Sequence, residues 1–125
     1  MTMQNSIAAA RIGSLQRNVD GTNVFEFRFG AEDPTFAGHF PNRPLLPGIF
    51  QLEMARAAAE WVLASPLAVR EISKAKFQRP ILPDEIVRLE LKLSGTGGTI
   101  RARADFFVGG QPAGETILLL WRNQN

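Results

Sequence analysis

Residues 47–64, PGIFQLEMARAAAEWVLA, place the strongest constraint on what this chain can fold into. Pro47 suits the first helical position, where its missing N–H is not needed. After it, Ile49, Phe50, Leu52, Ala55, Ala57, Ala58, Ala59, Trp61, Val62 and Leu63 make a helix apolar around most of its circumference. A helix of that kind has no face to give to water and is normally buried. Its roughly 18 residues span about 27 Å, and Pro66 stops it. The rest of the chain has to supply its cover.

That cover reads as β structure. ARIGSLQRNVDG is weakly patterned and ends at the turn signal Asp20-Gly21. NVFEFRFG alternates with period two, Phe25, Phe27 and Phe29 on one face and Glu26 and Arg28 on the other. From Gly30 to about Leu46, prolines at 34, 41 and 44 exclude a helix and predict a long loop. After the helix, VREISKAKFQR predicts a strand stopped by Pro80 and Pro83. EIVRLELKLSG turns Val87, Leu89, Leu91 and Leu93 to one side; TIRARADFFVGG does the same with Ile100, Ala102, Ala104, Phe106 and Val108. ETILLLWR is more continuously apolar, as in a strand covered on both faces. GTGG (95–98) and GGQPAG (109–114) are the expected hairpin loops. Two strands, one buried helix and four more strands predict an α+β fold with an antiparallel sheet of about six strands curled around one long central helix.

At 125 residues the chain is expected to form a single domain over 1–125. Its net charge of +2, with scattered Lys and Arg, gives no basis for nucleic-acid binding. No apolar run is long enough to span a membrane. MTMQNSIAAARIG does not read as a secretory signal, so the expected compartment is the cytoplasm. Without Cys, and with a single His, the chain has neither a thiol nucleophile nor a His-rich or Cys-based metal site of its own. GTGG has no helix after it to hold a phosphate, and no cofactor motif is present.

The chemistry concentrates in residues 38–53, GHFPNRPLLPGIFQLE. The proline-rich loop restrains His39 and runs into the N-terminus of the helix. The amides of Gly48 and Ile49 there can bind a carbonyl oxygen as it gains negative charge. Gly48 also lets a substrate approach the backbone closely. Glu53 follows, flanked by Phe50, Leu52 and Met54. A carboxylic acid in apolar surroundings has a raised pKa, which suits a general acid. Its spacing from Arg56, and that of Arg56 from Glu60, also fits ordinary helical ion pairs. A base, an acid and an oxyanion site suit chemistry α to a carbonyl.

Gly38, His39, Phe40, Pro41, Pro44, Pro47, Gly48 and Glu53 all fall in register with the pattern G-H-F-P-x-x-P-x-x-P-G-x-x-x-x-E. With this pattern the chain resembles the 3-hydroxyacyl-[acyl-carrier-protein] dehydratases of the FabZ/FabA type. KAKFQRPILPDE is similar to a second block of that family. The resemblance implies a hotdog fold and a homodimer with its sites at the subunit interface. It implies that His39 removes the α-proton and that Glu53 of the partner subunit protonates the departing β-hydroxyl. The Gly48 amide would bind the thioester carbonyl, with Ile49, Phe40 and Pro47 around the substrate. That substrate would be a 3-hydroxyacyl chain on the phosphopantetheine arm of acyl carrier protein, in fatty-acid or related polyene- or polyketide-type biosynthesis. No cofactor or metal is implied. Glu rather than Asp at position 53 favours the plain dehydratase over the dehydratase–isomerase branch.

Three departures stand out. The family often has Gln four residues after the acid, where this chain has Ala57; Arg56 is new beside it; and a Pro-Gly-Asp turn appears as Pro83-Asp84-Glu85. They imply a divergent member in a specialised pathway. Arg43, Lys74, Lys76 and Arg79 are candidates for a basic rim that attracts an acidic carrier. The alternatives are a hotdog acyl thioesterase and a catalytically weak acyl-carrier-binding partner, the latter favoured if Arg56 turns toward Glu53.

Overall fold

The computed structural model describes residues 2–36, 44–95 and 97–122. A short helix α1 (Met3–Ala10) leads into strands β1 (Arg11–Arg17) and β2 (Asn23–Arg28), and a 3-10 turn covers Pro34–Phe36. The central helix α2 (Gly48–Leu63) precedes β3 (Leu67–Phe77), β4 (Ile86–Ser94), β5 (Thr99–Val108) and β6 (Gln111–Arg122). The six strands form one antiparallel sheet in the order β1-β2-β4-β5-β6-β3. This is the α+β hotdog arrangement expected from the sequence.

Period-two patterning builds the inner face. Phe25, Phe27, Phe29, Val87, Leu89, Leu91, Ala102, Ala104, Phe106, Leu118 and Leu120 are buried. Each such large side chain contributes about 1.5–3 kcal/mol by leaving water. α2 lies against this face, touching β3, β4, β5 and β6. At its far end Trp61 meets Phe25 and Phe27 at ring-centroid distances of 5.6 and 6.2 Å. Small side chains make the close approach possible, since Ala55, Ala58 and Ala59 are completely buried.

Several boundaries differ from the sequence expectation. A second helix is present: α1 begins where the Thr2 hydroxyl accepts the Asn5 amide at 3.1 Å, and it buries Ile7. Eight residues are too few to display a helical period, and packing rather than propensity stabilises a helix this short. Pro47 is the N-cap and not the first helical residue: its ψ of 143° is extended, and its carbonyl accepts the Phe50 amide at 3.0 Å. α2 closes with Ala64 in the left-handed region, ahead of Pro66. The GGQPAG loop shrinks to Gly109-Gly110, both at positive φ, as a two-residue hairpin requires. Pro112 then sits inside β6, beside a register shift at Phe106/Phe107 that tolerates a missing donor.

The altered Pro83-Asp84-Glu85 turn keeps its shape. Asp84 adopts a φ of 67°, a region Asp tolerates better than most residues, and donates its amide to the Phe29 carbonyl at 2.8 Å. Glu85 accepts from Leu82 N and from Arg79.

One contact between helix and sheet has no slack. A Cβ on Gly114 would collide with Oε1 of the buried Gln51 and lie 3.2 Å from the Lys76 carbonyl oxygen. Gly114→Ala is expected to destabilise the fold by about 1–3 kcal/mol through overpacking. Adding Gln51→Ala should recover most of that loss in urea unfolding, because the two positions share one contact. Purely additive losses would show that the clash lies elsewhere.

Candidate active site

The first turns of α2 gather three of the candidate residues. Gly48 opens the helix, and Ile49, Leu52 and Glu53 follow on one face. With Met3, Val69, Ile72 and Leu118 they line a cavity of about 200 Å³ in which Glu53 is the only ionisable group among the described residues. Met3 comes from α1, so the helix missed in the sequence helps to wall this cavity. Val69 and Ile72 belong to β3, the edge strand, and remain 42% and 50% exposed. The cavity therefore opens along a sheet edge that is unpaired among the described residues.

Glu53 is not an acid alone in apolar surroundings. Arg56 donates from Nε to both of its carboxylate oxygens, at 3.0 and 2.9 Å, and from Nη2 to Oε1. Its Nη1 reaches Glu60 Oε2 at 2.7 Å and the Leu67 carbonyl at 3.1 Å. Glu60 Oε2 in turn accepts the Leu67 amide at 2.8 Å. The hydrogen bonds to Glu53 come first among the causes that push the Arg56 pKa up, against the opposing effect of burial. The helical spacing was legible in the sequence; the additional bonds to Leu67 were not.

On the other side of the helix start, Leu45, Leu46, Gly48, Gln51, Phe77 and Arg79 help to line a second cavity, of about 310 Å³. A Cβ on Gly48 would sit 2.8 Å from the Phe77 ring, so that ring occupies the space a side chain would need. The Leu46 amide bonds the Ile81 carbonyl at 2.8 Å, fixing the approach to the helix. Gln51 was missed by sequence reasoning. It is 3% exposed and its Oε1 has no hydrogen-bond partner among the described residues. A polar residue on an otherwise apolar stretch was its only signal. A larger concavity, about 530 Å³ beside Glu26, Arg88 and Glu90, is lined by none of these residues and has no link to the acid.

Among the predicted site residues, the structure brings Glu53 and Ile49 to one cavity, and Gly48 to the next, immediately behind Pro47. His39 and Phe40 lie outside the described residues, as does Arg43. Two of the four residues of the expected basic rim are paired with carboxylates. Lys74 pairs with Glu115, whose carboxyl it holds below its ordinary pKa, and Arg79 pairs with Glu85 at 2.8 Å. Among the described residues no helix is long and apolar enough to cross a membrane.

With this geometry in place, the likenesses to known proteins acquire meaning. Residues 15–109 match the model of the ApeI-like family, described as ApeI dehydratase. A 3-hydroxyacyl-[acyl-carrier-protein] dehydratase FabZ of Desulforamulus reducens is 38% identical over 99 residues, covering 71% of this chain and 68% of its own length. The dehydratase heterocomplex ApeI:P from Xenorhabdus doucetiae superposes with a TM-score of 0.73 at 25% identity, over 90% of this chain and 96% of that one. A hypothetical thioesterase from Streptococcus pneumoniae, solved with coenzyme A, has a TM-score of 0.68 at 9% identity, over 90% and 89% of the two chains, and shares the fold alone. A family match over most of the sequence, a relative above one-third identity and the hotdog architecture agree: the chain belongs to the ApeI-like dehydratase family.

Proposed function

We propose that this protein dehydrates 3-hydroxyacyl thioesters held on an acyl carrier protein, giving trans-2-enoyl thioesters for fatty-acid or related polyene- or polyketide-type biosynthesis. The observation that carries the reading is Glu53, a carboxyl group held by Arg56 in an otherwise apolar cavity, one turn from the start of α2. In this reading the His39 imidazole takes the α-proton, and the electron pair left on carbon forms the new Cα=Cβ bond. The β-carbon–oxygen bond breaks as Glu53, protonated at the start of the step, gives up its proton; the hydroxyl leaves as water, and the proton taken by His39 returns to the Glu53 carboxylate before the next turnover. Negative charge on the thioester oxygen is met by the amides of Gly48 and Ile49, which have no acceptor within the helix. Pro47 and Phe40 flank the thioester, and Ile49, Leu52, Ile72 and Leu118 receive the acyl chain.

A homodimer completes the site. β3 is eleven residues long, pairs on one side only, and leaves Val69, Ile72 and Phe77 exposed. A long apolar edge of that kind is a template for a second strand. A second copy laid along it would close the Glu53 cavity and bring in its own His39. The Xenorhabdus relative is described as a heterocomplex, so a different chain on the same edge is the competing arrangement.

The bond from Arg56 to Glu53 favours one further reading, a carrier-binding partner with little activity of its own. Turnover separates the two. His39→Ala is expected to abolish dehydration of a carrier-linked 3-hydroxyacyl thioester, and Glu53→Gln to slow it by about 10²–10⁴-fold. Free thiol should not accumulate; its stoichiometric release would make the protein a thioesterase, and full activity of His39→Ala would remove that residue from the mechanism.

The assembly has its own test. Sedimentation of the purified protein should give twice the 13.8 kDa chain mass, and Ile72→Lys should yield an inactive monomer. A wild-type monomer that is fully active would disprove the shared site.

A further inference from the structure

We infer that Arg56 is a positioning residue for the acid: one guanidinium fixes the Glu53 carboxylate and ties it to the first residue of the edge strand β3. The inference rests on the assignment of Glu53 given above.

Every nitrogen of the Arg56 side chain is engaged. Nε and Nη2 bind Glu53, while Nη1 is shared between Glu60 Oε2 and the Leu67 carbonyl. The Leu67 peptide is gripped on both sides, its oxygen by Arg56 and its amide by Glu60. A guanidinium is a rigid planar fork, so holding Glu60 and Leu67 at one end sets where the other end presents its donors to Glu53. Arg56 takes three contacts of the roughly four that a carboxylate can accept, leaving room for a substrate hydroxyl.

Burial separates this network from the exposed helical pairs that its spacing resembles. The side chains of Glu53, Arg56 and Glu60 are only 13, 16 and 27% exposed, whereas isolated solvated pairs position little. Among the described residues no other group does the same work nearby. Ala57, one turn after the acid, has no polar atom, and no other side chain among the described residues hydrogen-bonds to Glu53. Val69 and Ile72, two and five residues along from Leu67, wall the cavity that holds Glu53. The tether therefore joins the acid to the strand that shapes its surroundings.

Positioning and quenching predict opposite signs. If Arg56 positions the acid, Arg56→Ala lowers kcat by on the order of 10²-fold, the loss typical of a catalytic group displaced by about 1 Å, with KM little changed. Millimolar guanidinium chloride, against a sodium chloride control, then restores part of kcat. Arg56→Lys keeps the charge but not the fork and stays impaired. If pairing merely suppresses Glu53, Arg56→Ala turns over as fast as wild type or faster, and the inference is overturned. A fall in kcat that guanidinium does not relieve, with a matching fall in melting temperature, reduces Arg56 to a structural residue and also overturns it.

Amide hydrogen exchange supplies a readout independent of turnover. Loss of protection at Leu67 and Ala68 in Arg56→Ala, while the β5 amides stay protected, supports the tether; unchanged protection there refutes it. Should wild-type protein prove inactive on every carrier-linked 3-hydroxyacyl thioester offered, the proposed function fails, and the exchange result alone decides the tether.

Discussion

Everything in this molecule depends on burying one apolar helix against one sheet. α2 can lie close to the strands because Ala55, Ala58 and Ala59 present little bulk, and because Gly114 leaves room for Gln51. That approach fixes the helix start beside Phe77 and the helix end beside Phe25 and Phe27. The first turns thereby face the sheet edge with Glu53, while the buried face supplies the stability. Core and candidate site are two faces of one helix.

The sheet order gives β3 its place at the edge. It pairs with β6 alone, although four strands follow the helix in sequence. A strand whose outer side has no partner and whose apolar residues stand exposed is an unfinished surface. The Arg56 network attaches to the first residue of that strand, so hydrogen bonds link Glu53 to the unfinished edge.

Much of this was legible in the residues. Alternation over 23–29, 86–94 and 99–108 identified three strands and their buried faces, because a period of two leaves only one side for the core. The register of prolines, Gly48 and Glu53 pointed to a helix start with an acid just inside it. The Pro83-Asp84-Glu85 departure proved conservative in shape, since Asp84 occupies the left-handed conformation that the turn needs. The first helix was not legible: eight residues carry too little pattern, and their helicity comes from Thr2 capping and from burial of Ile7. The strand character of residues 111–114 was hidden as well, because Gln, Pro, Ala and Gly read as a loop until β5 and β3 pair with them.

By itself the sequence determined that the chain would bury a helix within an antiparallel sheet, and it singled out one loop and one carboxylate as candidates for the chemistry. Those conclusions follow from local periodicity, proline stereochemistry and residue type. Only the tertiary structure decided which way Arg56 turns. Helical spacing allowed a pair with Glu53, with Glu60, with both or with water. The selection came from Leu67, eleven residues further on, whose carbonyl and amide are placed beside the helix by the folding of β3 against β6. A guanidinium brought to that peptide has its remaining donors directed at Glu53, a constraint that no local stretch of sequence contains.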